Sequence, residues 1–337
     1  MYWTPICWRR GAKVISTLGS VAQLWSEKWG PSSRCPHKVT KWGFVTPFQN
    51  VGSGPSPAFW NCAYVDWSID TGDNVSVLLC VVGGVMGVTQ LHDVVYIVCH
   101  LSSTIKRFSA TSRQRLTDIN VKDLREPQDI AACERTYQLY IADSGCVWRV
   151  SSDGAFVKHW LPKIPSDTFK PHRLSVTSSR LLVMSLDSKQ LIQYDADGDE
   201  LMRVRLPDYM DPRHAVESPT GTFIVSHRNA QLRQLRGQVS EVNIEGQVLR
   251  QFSGSRLSSL GVTPHVAVDS QGNVFVADSD NCRISLLDAR LELCRVIVDE
   301  HQLNDEWPYR LCYKEQSGQL LVGFWSESVA VFDVLRR

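Results

Sequence analysis

Ten cysteines are scattered along 337 residues without a single Cys-x-x-Cys pair, which excludes zinc ribbons and RING-type fingers. Net charge is nearly absent at +1, so nothing global attracts nucleic acid or an acidic membrane surface. Long apolar runs are missing as well. The longest, Val75 to Val88, is broken by Ser76, Gly83, Gly84 and Gly87 and is too short to span a bilayer, so no membrane association is expected. Near the N-terminus Arg9-Arg10 precedes a weakly apolar stretch, Val14 to Trp25, that resembles a secretory signal only loosely because Ser16, Thr17, Gly19, Ser20 and Gln23 dilute it. No Gly-x-Ser-x-Gly, P-loop or dinucleotide fingerprint occurs, and Gly52-Ser53-Gly54 opens no helical pattern. No cofactor is expected.

Cys80, Cys99 and Cys312 sit inside apolar runs, where a free cysteine behaves as a small hydrophobe. This usage reads as buried thiols in a reducing compartment, the cytoplasm.

What is present is clearest from Pro264 to Leu287. Three short β-runs, Val266 to Val268, Val274 to Ala277 and Ile284 to Leu287, are separated by a turn at Gly272-Asn273 and a polar turn at Asp278 to Asn281. Proline, lacking an N–H, suits the head of a strand, and glycine supplies the unusual angles of the turn. Such a meander leaves a sheet face uncovered and is unstable alone, so copies are expected. They occur: prolines at 127, 171, 212, 264 and 308 each lead a similar unit, at intervals of 44, 41, 52 and 44 residues. A sixth unit, around Tyr96 in Val94 to Cys99, starts near Gly83 with glycine in place of proline.

A period of about 40 to 50 residues built from four short strands is that of a β-propeller blade. The expectation is an all-β, six-bladed propeller over 73–337. The last unit has room for three strands only before Arg337, while an unassigned β-run, Asn74 to Val82, lies ahead of the first blade. That run is expected to supply the outer strand of the sixth blade and close the ring, leaving no open sheet edge. Residues 1–72 differ: they hold seven of the eleven tryptophans and seven basic against three acidic residues, without a sustained period. They are read as an irregular extension.

The units resemble the NHL-repeat family of six-bladed propellers, most closely in the stretch Val266-Ala267-Val268-Asp269 through Val276-Ala277-Asp278-Ser279-Asp280-Asn281-Cys282-Arg283-Ile284. Ile141-Ala142-Asp143-Ser144-Gly145 keeps part of the pattern, and the blades from Pro171, Pro212 and Pro308 are degenerate. WD-type and kelch repeats fit less well. The resemblance to the NHL domains that end tripartite-motif ubiquitin ligases implies a non-catalytic recognition module that binds protein or peptide at one face. The RING and B-box cysteine patterns are absent, so ligase activity does not carry over. A monomer is expected.

In such a propeller, the residues leading into each innermost strand converge around the central channel with the turns between second and third strands. The lead-in positions hold Gln128, Asp129, His172, Arg173, Arg213, His214, His265, Tyr309 and Arg310; the turns contribute His100, Asp143, Asp187, His227, Arg228, Asp278, Asp280, Asn281 and Trp325. From these the candidate binding set is His172, Arg173, Arg213, His214, His265, Tyr309, Arg310, Asp143, Arg228 and Asp278, suited to hydrogen-bonding a peptide or an anionic group. Asp278 and Asn281 also read as turn-formers, and Arg283 as the partner of a carboxylate on a neighbouring blade.

Two alternatives stand beside this reading. Single-stranded RNA could meet Arg173, Arg213, Arg228 and Arg310 through its phosphates. The family is also similar to a zinc-dependent peptide-amidating lyase, which implies a metal site at His172, His214 and His265. Counted from the prolines, however, His214 is one residue out of step with the other two, which on a strand turns a side chain to the opposite face.

Overall fold

The computed structural model describes residues 67–69, 76–79, 84–160, 169–231, 236–254, 260–261, 264–303, 306–326 and 328–336. The expected extension over 1–72 lies outside the described residues apart from Trp67–Ile69, as does Gly83. Among the described residues, no helix is long and apolar enough to cross a membrane.

Six antiparallel sheets form the blades of a propeller. Their innermost strands are Val85–Leu91, Asp129–Cys133, Arg173–Thr177, Met210–Glu217, His265–Val268 and Pro308–Lys314, for blades 1 to 6 in chain order. Blades 1 to 5 are four-stranded meanders. Blade 6 contributes three strands of its own, and its outer strand Ser328–Arg336 pairs with two segments from the other end of the chain, Ser76–Leu79 and Trp67–Ile69. Ser76 lies opposite Val331 and Leu79 opposite Ser328. The ring is thus closed by N-terminal strands, and Trp67–Ile69 extends that closure ahead of residue 73.

The blades repeat because their turns do. Asp195, Asn243, Asp269 and Asp288 each accept backbone N–H bonds from residues two and four positions on, a side-chain mimic of a backbone turn. Three of these turns place a glycine three positions after the acceptor, at Gly198, Gly246 and Gly272, all at positive φ. At Gly246 the need is also steric, since a Cβ would lie 2.3 Å from the Arg205 carbonyl oxygen.

Apolar side chains fill the gaps between blades, with one cluster in each of the six gaps. Between blades 5 and 6, Phe275 meets Leu320 and Phe332; between blades 3 and 4, Met184 meets Met210 and Phe223. Because each blade is apolar on both faces, its strands read as nearly continuous hydrophobic runs. Cys133, Cys146 and Cys312 carry free thiols, but Cys99 is disulfide-bonded. The expectation of a free thiol there is corrected: an apolar strand reads the same around a thiol as around half of a disulfide.

Candidate functional site

The register between the first and second strands of each blade defines equivalent positions around the channel. Val88, Ile130, Leu174, Ala215, Val266 and Leu311 lie opposite Ile97, Ile141, Val183, Val225, Val276 and Val322. The residues before these form a collar of Gly87, Asp129, Arg173, His214, His265 and Arg310, of which Asp129, His214, His265 and Arg310 line the channel cavity. Register shifts between Val85 and Gly87, Pro212 and His214, and Pro308 and Arg310 are bulges that re-aim the strand where it enters the ring.

This alignment corrects the count from the prolines. The collar residue is the second after Pro127, Pro171, Pro212 and Pro308 but the first after Pro264. His265 therefore belongs with His214, and blade 3 contributes Arg173 rather than His172. The rings of His214 and His265 stack, with centroids 3.6 Å apart. His172 stays outside, half-buried, its Nδ1–H donating to the Lys170 carbonyl at 2.8 Å. Asp129, a lead-in position outside the candidate binding set, completes the cluster: one donor atom each from Asp129, His214 and His265 lies within 4.8 Å of the others.

The collar is dry. Arg310 and Asp129 are each 3% exposed, His214 4%, His265 5% and Arg173 9%. Asp129 accepts N–H bonds from Ile130 at 2.9 Å and from Leu174 on the next blade at 3.0 Å, so it also ties blade 2 to blade 3. Burial raises its pKa, against the pull of Arg310 and Arg173. Arg173 donates to the Gln128 and His172 carbonyls at 2.7 and 2.9 Å. Burial, and then the facing Arg310, push its pKa down to about 10. Arg310 donates to the Tyr309 carbonyl at 3.0 Å, lies 3.8 Å over the Tyr309 ring and reaches the Met86 carbonyl on blade 1.

Gly87 makes room for this crossing. A Cβ there would lie 2.6 Å from the Ile130 nitrogen and 2.9 Å from Asp129 Oδ1.

Both imidazoles are held neutral. Burial, and then Arg310 and Arg173, push the His214 pKa down to about 3, while burial and the neighbouring His214 hold His265 well below the usual range. The Leu311 N–H donates to His265 Nδ1 at 3.2 Å, so the proton of the neutral ring sits on Nε2. That N–H has no acceptor among the described residues, and neither do Arg310 Nη2 and Arg173 Nε. His214 Nδ1 is also without a partner.

This donor set does not fit zinc. A metal needs an unprotonated imidazole nitrogen, yet one nitrogen of His265 accepts a backbone N–H and the other carries the proton. Both Asp129 oxygens are engaged, and two guanidiniums already depress the basicity of the histidines. The three-histidine site at His172, His214 and His265 is not assembled, because His172 sits one position out of the collar.

The remaining sequence-selected residues take other places. Asp143 accepts from the Arg125, Glu126 and Ser144 backbones and from Trp148 Nε1. Asp278 is fully buried, accepting from Gly261 N, Asn281 Nδ2 and Arg283 Nε. Arg283 thus pairs within its own blade. Arg213 and Arg228 share the Asp211 carboxylate, at 3.0 Å from Arg213 Nη2 and 2.8 Å from Arg228 Nε. Tyr309 stands edge-on to the half-exposed Trp325, ring centroids 5.0 Å apart. Of the four arginines considered for phosphate, two are buried in the collar and two are joined to one acid.

Beneath the collar lies a cavity of about 610 Å³. Two residues further along each strand, on the same side, come Thr89, Ala131, Ser175, Val216, Ala267 and Cys312, which all line it. At its far end Glu134 of blade 2 pairs with Lys314 of blade 6 and accepts from Gln316 Nε2 at 3.0 Å.

Neither a family model nor a curated protein matches the sequence. Many solved structures share the fold. Among them are a Bacteroides thetaiotaomicron protein (TM-score 0.57, 12% identity, covering 80% of this chain and 76% of that one) and virginiamycin B lyase from Staphylococcus aureus (0.54, 8%, 78% and 99%). The WD40 propeller domain of Doa1 is another (0.53, 13%, 80% and 97%). Identities this low establish the propeller architecture alone.

Proposed function

We propose that this propeller is a non-catalytic recognition module of the NHL type, which holds a protein or peptide partner on the face around the channel mouth and draws a hydrogen-bond-accepting group of it into the collar. One observation carries the reading: three buried collar donors, His265 Nε2–H, Arg310 Nη2 and Arg173 Nε, have no acceptor among the described residues. Leaving such groups unpaired costs about 1–3 kcal/mol each, so an arriving acceptor is favoured. The paired, half-buried state of Arg213 and Arg228 argues against a surface that tracks an RNA backbone. In a ubiquitin-ligase-like system the chain would supply substrate recognition, with transfer left to other subunits.

An array of random dodecapeptides, probed with the full chain and with Arg310→Met, tests this. Bound peptides should share acceptor-rich termini or side chains and be lost in the variant. Binding that survives Arg310→Met, or an array with no bound peptide, would remove the reading.

A further inference from the structure

Exposed aromatic side chains gather at one place on the mouth face, the head of blade 6. The Trp325 N–H donates to the Trp307 carbonyl, which extends the pairing of Pro308 with Phe324 by one position and sets the two tryptophans opposite one another. They stay 43% and 44% exposed. Tyr309 stands edge-on to Trp325. On blade 1, the Gly84 carbonyl accepts from the His100 N–H at 3.0 Å. A Cβ on Gly84 would lie 2.8 Å from the Trp325 carbonyl oxygen and 3.5 Å from its indole, so the missing side chain lets that indole settle on the head of blade 1. The turn after His100 carries Leu101, 64% exposed at φ +56, a costly backbone for a bulky side chain. Apolar surface left exposed in a cluster marks an interaction site.

The charge beside these rings is of one sign. The sequence leading into blade 6, residues 299–306, holds four acidic residues and no lysine or arginine, whereas the stretches leading into blades 2 to 5 (121–128, 160–172, 206–209 and 253–264) each balance to within one charge. Asp299 and Glu300 are exposed. Glu306 Oε2 accepts from the hydroxyl of Ser326, the neighbour of Trp325, while Oε1 accepts no hydrogen bond among the described residues. Arg310 is buried and already covers one face of the Tyr309 ring, which leaves the indoles as the accessible rings. An indole face attracts a cation, arginine more often than lysine, and a guanidinium can stack on the ring while its fork meets a carboxylate. Phosphate or a carboxylate would be repelled by the same acids.

We infer that the head of blade 6 binds an arginine side chain of the partner, its guanidinium stacked on the Trp325 indole and paired with Glu306. This rests on the recognition reading above, because it names a group of the protein or peptide held on that face.

The test is fluorescence anisotropy with the full chain and labelled Gly-Ser-Arg repeat peptides, beside the same peptides with lysine, glutamine or glutamate in place of arginine, and a labelled oligouridylate. The arginine peptide should bind tightest and weaken with added salt. Lysine should bind roughly twofold or more weakly, and glutamine and glutamate peptides should not bind. Trp325→Ala should weaken the arginine peptide about fivefold and Glu306→Gln about two- to fivefold, both with an unchanged unfolding midpoint. Trp325→Phe, which keeps a ring, should retain most of the affinity and stands in should the alanine variant fail to fold.

A glutamine peptide bound as tightly as the arginine one, or affinity unchanged in both Trp325→Ala and Glu306→Gln, would overturn the inference. So would Trp325-dependent binding of oligouridylate, which would make the indoles a platform for stacked bases. Should array peptides bind in an Arg310-dependent way with no enrichment of arginine and no effect of Trp325→Ala, the arginine assignment falls and the recognition reading stands. Should no peptide bind in either experiment, both fall.

Discussion

His214 and His265 stack face to face on adjacent blades, their ring centroids 3.6 Å apart, although one follows its proline by two residues and the other by one. Both are held neutral by burial, with the neighbouring guanidiniums adding to the effect. On unfolding they regain ordinary basicity and take up protons. Protons therefore favour the unfolded chain, so this contribution to stability is complete above about pH 6.5 and is lost as pH falls toward 3. His214 alone should cost about 2 kcal/mol between pH 7.5 and pH 5. Thermal denaturation across that range should show a falling midpoint, and His214→Gln/His265→Gln should flatten the slope. A slope unchanged in the double variant would mean that these rings titrate normally in the fold. His172 and His227, also depressed by burial, leave a residual slope in either case.

The propeller was legible because it is written in short-range terms: strand-length apolar runs, a proline or glycine before each blade, and a period near 44 residues. Closure was legible from the missing fourth strand of the last blade, and Ser76–Leu79 does pair there. The collar was only half legible. Aligning on proline put His172 with His265, because a strand that bulges between proline and collar is indistinguishable in sequence from one that does not. A better signal was present, the polar–apolar–small triplet Asp129-Ile130-Ala131, Arg173-Leu174-Ser175, His265-Val266-Ala267 and Arg310-Leu311-Cys312. It selects Asp129 beside Arg173 and sets His172 aside. Asp143 and Asp278 look like ligand carboxylates in sequence, whereas the fold engages them with backbone N–H groups.

Gly87→Ala tests how tightly the collar is built. Its Cβ would strike the Ile130 nitrogen and the Asp129 carboxylate, which itself ties blade 2 to blade 3 through Leu174. We expect a loss of about 1–3 kcal/mol, measured by urea denaturation, with binding at the mouth reduced as well. A neutral substitution would mean that the blade 1 strand can retreat.

Gly246 and Gly221 separate two costs of replacing a turn glycine. Both have positive φ, but a Cβ meets the Arg205 carbonyl at 2.3 Å in the first and nothing within 4 Å in the second. Gly221→Ala should cost about 1–2 kcal/mol for the left-handed backbone alone, and Gly246→Ala clearly more. Equal losses in equilibrium unfolding would remove the steric part of the argument.

Ring closure can be read from a truncation. A chain beginning at Gly84 lacks Ser76–Leu79 and Trp67–Ile69, exposing the edge of Ser328–Arg336, and open edges pair with other chains. Light scattering should show association of the truncated chain at concentrations where the full chain shows none, together with a lower unfolding midpoint. Unchanged stability and dispersity would show that blade 6 does not depend on its N-terminal partner strands.

Recognition at the channel face is tested most directly by the peptide array probed with the full chain and with Arg310→Met. Bound peptides that are lost in the variant are expected. An array with no bound peptide, or binding that survives Arg310→Met, would contradict it.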